Sequence, residues 1–431
     1  MSETQGDAVA SAGTALRIAN QERNVREFER GALVLASRPQ VLFLELTENC
    51  NLSCPMCRSA GPFDRSKNMS EELFTRVARE LFPTTAIVDL RGWGESTVLR
   101  RFPDLVERTA ASGARIRIVT NLTVPNESLW RSLVRHRALI AVSFDAATAT
   151  TFARLRRGSK LPVILDNLAV LVDEARRVGA GTGGIQLNVV VQPSAVPELP
   201  AIVGIAADLG LTRVALNPLS VEESSPDHLS RHRDELACAL REAEKVAADR
   251  GVTVRINAAL DETWALPQHS AKRCTHPWMY CYINYRGQVG FCDHLIGAPG
   301  QRYLLGDLNT TSFEEVWNGA AYQKLRAEHV LWEQGLSERF AECNWCYRNR
   351  YVDFDEHTYP PYRRHVVNLT TTCPLTEQSH ATTPKATPGN RVLPVLNLDA
   401  GAEPGAGRDA CRPRTGAPPS SPTQHSTEAP R

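Results

Sequence analysis

Between residue 40 and about residue 257, short β-branched runs alternate with longer stretches whose apolar positions recur at helical spacing. The runs predict strands at Val41–Thr47, Ala86–Arg91, Arg115–Thr120, Leu139–Phe144, Ile185–Gln192 and Arg213–Asn217. Between them the pattern predicts helices at Glu71–Leu81, Phe102–Ala111, Glu127–Arg135, Val163–Val178, Val196–Leu209 and Leu229–Arg250. Ser70 and Asn126 stand where N-caps belong, and Gly113, Gly179, Gly210 and Gly251 where helices stop. Strand-then-helix units in series, joined by right-handed crossovers, predict an α/β fold. It is a parallel sheet curled into a partial (β/α)6 TIM-like barrel, short of the number that closes one.

Around residue 258 the pattern changes to shorter elements, more aromatics and clustered cysteines, which predicts a second, small metal-built domain over 258–365. Residues 1–38 form an N-terminal extension and 39–257 the barrel. The tail, 366–431, is low in complexity; from residue 377 onward it has no Phe, Trp or Tyr but holds 9 of the 27 prolines. Such a segment buries too little apolar area to offset its ordering entropy, so it is expected to be disordered, with Cys373 and Cys411 incidental.

The 431-residue chain is 42% hydrophobic with a formal charge of +1, which offers no basic field for nucleic acid. No apolar run approaches the ~20 residues of a membrane span. The polar N-terminus, Met1 to Ala36, has neither an apolar core nor a cleavage site of the secretory kind. A cytoplasmic protein is expected, in which grouped cysteines bind metal rather than pair.

Seven of the eleven cysteines fall into two groups. The first, Cys50-Asn-Leu-Ser-Cys54-Pro-Met-Cys57, follows the first strand. Structural zinc takes four ligands, usually in two pairs, and no nearby histidine completes this set. A disulfide would leave an odd thiol. Three thiolates instead suit an iron–sulfur cluster with one open iron. The segment resembles the signature loop of the radical S-adenosylmethionine (SAM) enzymes, in which three cysteines hold a [4Fe-4S] cluster and SAM chelates the fourth iron. The resemblance implies reductive cleavage of SAM to a 5′-deoxyadenosyl radical, which takes a hydrogen atom from substrate.

Other strand ends carry the resemblance further. Gly92-Trp93-Gly94-Glu95-Ser96 is similar to the family's Gly-Gly-Glu-Pro segment, with Gly94 and Glu95 implied to face the methionine ammonium. Thr120-Asn121-Leu122 stands where relatives carry Thr-Asn-Gly. Ser143-Phe144-Asp145 resembles a Ser-hydrophobic-Asp segment that approaches ribose and methionine, and Arg156-Arg157-Gly158 follows as a carboxylate contact. Val189–Gln192 and Asn217-Pro218 would flank the adenine.

The second group is Cys274, Cys292, Cys343 and Cys346. Tyr280–Asn284 and Gln288–Phe291 read as a hairpin turned at Arg286-Gly287, which brings cysteines at its two ends together. The spacing resembles the SPASM and twitch extensions of some radical SAM barrels. A full SPASM extension carries further cysteines after the position of Cys346. Their lack before Cys373 implies one auxiliary [4Fe-4S] cluster, the twitch-like form. A four-cysteine zinc ribbon is the alternative. Cys281, between the proposed ligands, reads as a packing thiol, a further ligand or a hydrogen-atom donor. His276, Asp293 and His294 are candidates to support the cluster sulfurs.

Three reactions compete. The first oxidises a small polar, sugar- or aminocyclitol-like metabolite, the auxiliary cluster taking an electron, as in the similar aminocyclitol dehydrogenases of antibiotic pathways. The second is redox-neutral epimerisation, decarboxylation or dehydration of such a substrate, with Cys281 the donor in epimerisation. The third is maturation of a ribosomal peptide. Peptide-modifying relatives often carry an N-terminal leader-binding domain, whereas here the first predicted strand begins at Val41, so oxidation of a small molecule leads. An electron donor such as flavodoxin or ferredoxin is implied.

Overall fold

The structure is a computed structural model that describes residues 3–57, 61–219, 221, 224–256, 272–292 and 303–348. The predicted alternation forms an α/β fold. Strands β1 (Val41–Leu44), β2 (Ile87–Asp89), β3 (Arg115–Thr120), β4 (Leu139–Ser143), β5 (Ile185–Val191) and β6 (Arg213–Pro218) pair in parallel and in chain order. Helices α2 (Glu71–Leu81), α3 (Phe102–Ala111) and α4 (Glu127–Arg135) keep their predicted bounds. The Ser70 hydroxyl accepts from Leu73 N to open α2, which buries Leu73, Phe74, Val77 and Leu81. Each such side chain contributes about 1.5–3 kcal/mol. The predicted helix at 163–178 starts earlier, as α6 (Leu161–Arg177). Those at 196–209 and 229–250 begin as short 3-10 turns before α7 (Leu199–Leu209) and α8 (Arg233–Arg250).

Several elements go beyond the predicted set. A 27-residue helix, α1 (Glu3–Glu29), precedes the barrel, and α5 (Ala149–Leu155) fills the connection after β4. A seventh parallel strand, β7 (Thr253–Ile256), adds to β6. The hairpin forms as β8 (Tyr280–Ile283) and β9 (Gln288–Gly290), with Gly287 at φ +87. Rather than standing apart, β8 pairs in parallel with β1, so one ten-stranded sheet runs β10-β9-β8-β1-β2-β3-β4-β5-β6-β7, with β10 (Gly306–Asp307) at its edge. Without β8, the backbone of β1 would lie unpaired along that edge. Helices α9 (His276–Met279), α10 (Phe313–Trp317), α11 (Ala320–Val330) and α12 (Cys343–Arg348) complete the described chain. Among the described residues no helix is long and apolar enough to cross a membrane.

The N-terminal segment laces the halves together. Asn24 Nδ2 donates to Trp278 O, Trp278 Nε1 to Ala32 O and Trp317 Nε1 to Ser37 O. Arg326, fully buried, donates to Leu33 O, Pro277 O and Trp317 O. Each bond satisfies a main-chain carbonyl that burial would otherwise leave unpaired. The predicted tail, with Cys373 and Cys411, lies outside the described residues, as do Asp293 and His294.

Strand register divides the sheet into two unlike faces. Leu42 and Leu44, Val88 and Leu90, Ile116 and Ile118, Ile140 and Val142 point toward the helices and are buried. The opposite face carries Glu45, Asp89, Arg91, Arg115, Arg117, Ser143, Asn188, Arg213, Asn217 and Arg255. With right-handed crossovers the helices all lie on one side, so this second, polar face is the barrel interior.

Candidate active site

The loop after β1 is tied down from several directions. Thr47 bridges to Asn68, Asn49 Nδ2 donates to Asp64 O and Asn68 Oδ1, and Asn49 O accepts from Glu95 N at 2.8 Å. Ser53 N donates to Arg157 O, linking the loop to the Arg156-Arg157-Gly158 turn. Gly94 is fixed by contact: a Cβ there would lie 2.4 Å from Asn49 O and 2.6 Å from Thr47 O. No other residue fits between these two loops.

Cys50, Cys54 and Cys57 are brought within electrostatic reach of one another. Burial pushes the Cys50 thiol up to about 11 and also raises Cys54, where the Arg156 guanidinium pulls the other way. A metal displaces such thiol protons on binding. Asn121 Nδ2 lies 3.9 Å from Cys50 Sγ and donates to Asn51 Oδ1 at 2.9 Å.

Glu95 is buried, and burial raises its carboxyl above the ordinary range against four hydrogen bonds that lower it. Its Oε1 accepts from the Thr97 and Thr120 hydroxyls at 2.7 and 2.9 Å, and Oε2 from Asn121 N at 2.6 Å. A carboxylate has about four acceptor positions, so one on Oε2 stays available to an ammonium. Asp145 is fully buried; Oδ1 accepts from Val190 N at 2.8 Å and Oδ2 meets Arg156 Nε at 2.7 Å. Burial pulls the Arg156 guanidinium down, but Asp145 and the Cys54 and Cys57 sulfurs outweigh it, and its net shift is upward. Asp145 and Arg156 thus join the cysteine loop to the end of β4. Ser143 is buried at that strand end, Asn217 Nδ2 donates to Asn188 Oδ1 on the interior face, and the buried Gln192 Nε2 has no hydrogen-bond partner among the described residues.

Leu122 adopts φ +56, the left-handed region, where the similar segment in relatives carries glycine. It is fully buried, and its carbonyl accepts from Asn167 Nδ2, so packing holds a conformation a leucine otherwise avoids.

The second cysteine set also converges. The buried Cys343 thiol is pushed well up, first by burial and then by Cys346, Cys292 and Cys274. Cys274 N donates to the Tyr347 hydroxyl at 3.2 Å, and Cys274 Sγ lies 3.5 Å from His276 Nδ1. Among the described residues no group of three or more His, Cys, Asp or Glu is drawn tightly enough to hold a single metal ion. The two sets are related by mutual proximity rather than by contact. Three partly exposed thiols near the buried Cys343 would suit a closed cluster, and the three of the first loop one with a free iron.

Cys281 is placed elsewhere. It points to the helix side of β8, fully buried, with Tyr322 Oη at 3.9 Å, and burial pushes its thiol up to about 12. Its neighbours Tyr280 and Tyr282 point inward and stack on Phe43.

Glu45 belongs to none of the sequence motifs. At the inner end of β1 it accepts from Trp93 N at 2.9 Å; burial pushes its carboxyl up to about 7 against hydrogen bonds from Trp93 and Tyr282. Asp89 also lies outside those motifs: Arg91 Nε and Arg117 Nη1 meet its Oδ2 at 2.8 and 3.0 Å. The available signal was alternation. Wholly buried parallel strands run apolar throughout, so a charged residue at every second position marks a wet interior.

Residues 44–188 match the radical SAM superfamily, and residues 274–348 match SPASM, an iron-sulfur cluster-binding domain. The chain belongs to the radical SAM superfamily and carries a SPASM domain. The superfamily's barrel uses a [4Fe-4S] cluster and SAM, and SPASM domains hold auxiliary iron–sulfur clusters.

The chain is 28% identical over 192 residues to the tungsten-containing aldehyde ferredoxin oxidoreductase cofactor-modifying protein of Pyrococcus furiosus, covering 42% of this chain and 53% of that protein. It is 23% identical over 327 residues to the PqqA peptide cyclase of Xanthomonas euvesicatoria pv. vesicatoria, covering 72% and 83%. It is 27% identical over 198 residues to the mycofactocin maturase MftC of Mycobacterium tuberculosis, covering 44% and 46%. The chain thus spans about half the length of the first and third of these. In fold it is similar to Streptococcus suis SuiB bound to S-adenosylmethionine, with TM-score 0.56, 15% identity and 71% of each chain covered. It is also similar to native anSMEcpe with bound AdoMet, with TM-score 0.53, 15% identity, and 77% and 100% covered.

Proposed function

We propose that this radical SAM enzyme modifies a peptide, removing hydrogen from it to form a new bond. The observation that carries this reading is the match to PqqA peptide cyclase, which runs through 83% of that protein. The mycofactocin maturase likeness supports it. This reading displaces oxidation of a sugar-like metabolite, which rested on cysteine count and on where the first strand begins.

In this proposal Cys50, Cys54 and Cys57 hold the SAM-binding [4Fe-4S] cluster. Bound there, cluster and SAM supply a 5′-deoxyadenosyl radical. Gly94 lets the cysteine loop close against the segment after β2, its backbone faces the methionine end of SAM, and Glu95 accepts from the SAM ammonium. Asn121 steadies the cysteine loop, while Asp145, Ser143 and Arg156 orient ribose and carboxylate. Cys274, Cys292, Cys343 and Cys346 hold one auxiliary [4Fe-4S] cluster. Flavodoxin or ferredoxin serves as donor. The polar interior face, with Glu45, Asp89 and Arg91, binds the peptide's polar groups.

The test is co-incubation of reconstituted enzyme, SAM and reductant with the short peptides encoded beside its gene. A peptide product lighter by two hydrogens, formed with 5′-deoxyadenosine, is expected. Unchanged peptides alongside an oxidised aminocyclitol or sugar would return the reading to small-molecule oxidation.

A further inference from the structure

A line of rings runs from the barrel interior to the auxiliary site. Arg91 lies over Phe43, with its guanidinium carbon 4.6 Å from the ring centroid. Phe43, on the interior face of β1, stacks on Tyr280 with centroids 5.7 Å apart and planes 20° apart. Tyr280 stacks on His276 at 4.1 Å and 20°. The His276 ring ends 3.5 Å from the sulfur of Cys274. The pairing of β8 with β1 creates this line, because it sets Phe43 between Tyr280 and Tyr282. Val41, not Phe43, lies directly across from Tyr280, so the stack forms on the diagonal.

We propose that Phe43, Tyr280 and His276 form the route by which one electron passes between the barrel interior and the auxiliary cluster, with His276 donating its Nδ1 hydrogen to the Cys274 thiolate. The inference rests on the proposed ligand role of Cys274, Cys292, Cys343 and Cys346. Closely stacked rings couple electronically better than aliphatic packing does, and a hydrogen bond to a ligand sulfur favours the more negative, reduced state of a cluster. In turnover, a substrate-centred radical loses one electron and one proton as its new bond closes. The proton leaves to water, and the electron crosses the stack to the oxidised [4Fe-4S] cluster, which an external one-electron acceptor of the flavodoxin or ferredoxin class later restores. Tyr280 also fixes the plane of His276, so it is a positioning residue for that hydrogen bond.

Two measurements on the full chain test this without substrate. In a Cys50→Ala, Cys54→Ala, Cys57→Ala background, EPR-monitored redox titration isolates the auxiliary cluster. There His276→Phe is expected to keep the iron content but lower the reduction potential; an unchanged potential and spectrum would overturn the hydrogen bond. In the two-cluster protein, reduced and then freed of reductant, added SAM draws electrons through the first cluster. The auxiliary EPR signal should decay in the parent protein and in Tyr280→Phe, and at least tenfold more slowly in Tyr280→Leu. Equal decay in Tyr280→Leu, or no decay in the parent, would overturn the route. Absence of auxiliary iron altogether would instead remove the four-cysteine ligand assignment, and the route with it.

Discussion

Asp145 Oδ2 and Arg156 Nε meet at 2.7 Å, with the aspartate side chain wholly buried and the arginine only 12% exposed. Eleven positions apart in sequence, they close the gap between the end of β4 and the cysteine loop. Removing one partner strands a buried charge, which costs about 3–5 kcal/mol. Asp145→Ala is therefore expected to lower stability by that amount in urea unfolding and to weaken SAM binding by calorimetry. Wild-type stability in Asp145→Ala would mean the pair lies in water.

Glu45 gives the protein a pH dependence. Its folded carboxyl sits near 7 against an ordinary 4.5, so the protonated form is favoured by folding. That stability is fully present below pH 4.5 and is lost as pH rises to about 7. The shift corresponds to about 3–4 kcal/mol. Glu45→Gln should be more stable than the parent at pH 8 and should flatten the stability profile between pH 4.5 and 7. A profile that stays steep in Glu45→Gln would assign the titration to another group.

Leu122 sets strain against burial. Leu122→Gly relieves about 1 kcal/mol of left-handed strain but empties a fully buried site, which costs about 2–5 kcal/mol. A net loss of stability is expected in thermal unfolding. A gain would show that the backbone strain outweighs the packing.

The two cysteine sets should separate by readout. Reconstituted protein is expected to bind about eight irons, as two cubanes require. Alanine at Cys50, Cys54 or Cys57 should abolish SAM cleavage; Cys343→Ala should spare uncoupled cleavage while removing turnover. Iron near four accompanied by zinc would assign the second set to a zinc ribbon.

Cys281, buried against Tyr322 on the helix side, should behave as a packing thiol. Cys281→Ala should lower stability by about 1–2 kcal/mol with the reaction retained. Folded Cys281→Ala that loses solvent deuterium incorporation into product would restore the hydrogen-donor role.

The sequence by itself determined what local pattern and residue chemistry can carry. The alternation of runs gave the parallel strands, Ser70 and Asn126 the helix starts, and the turn at Gly287 the hairpin. Cys50-x3-Cys54-x2-Cys57 is legible for the same reason: its ligands lie on one short loop, so spacing alone brings them together. Tertiary structure decided whatever depends on register and long-range pairing. Which face of β8 each residue takes is set by pairing with β1, some 240 positions away, and a shift of one residue would exchange Cys281 with Tyr280. The same pairing makes the stack from Phe43 to His276 and joins the SPASM hairpin to the barrel sheet. Glu45 is not marked in the linear pattern because its perturbation comes from burial, which outweighs the hydrogen bonds from Trp93 and Tyr282, and burial belongs to the folded whole rather than to any stretch of chain.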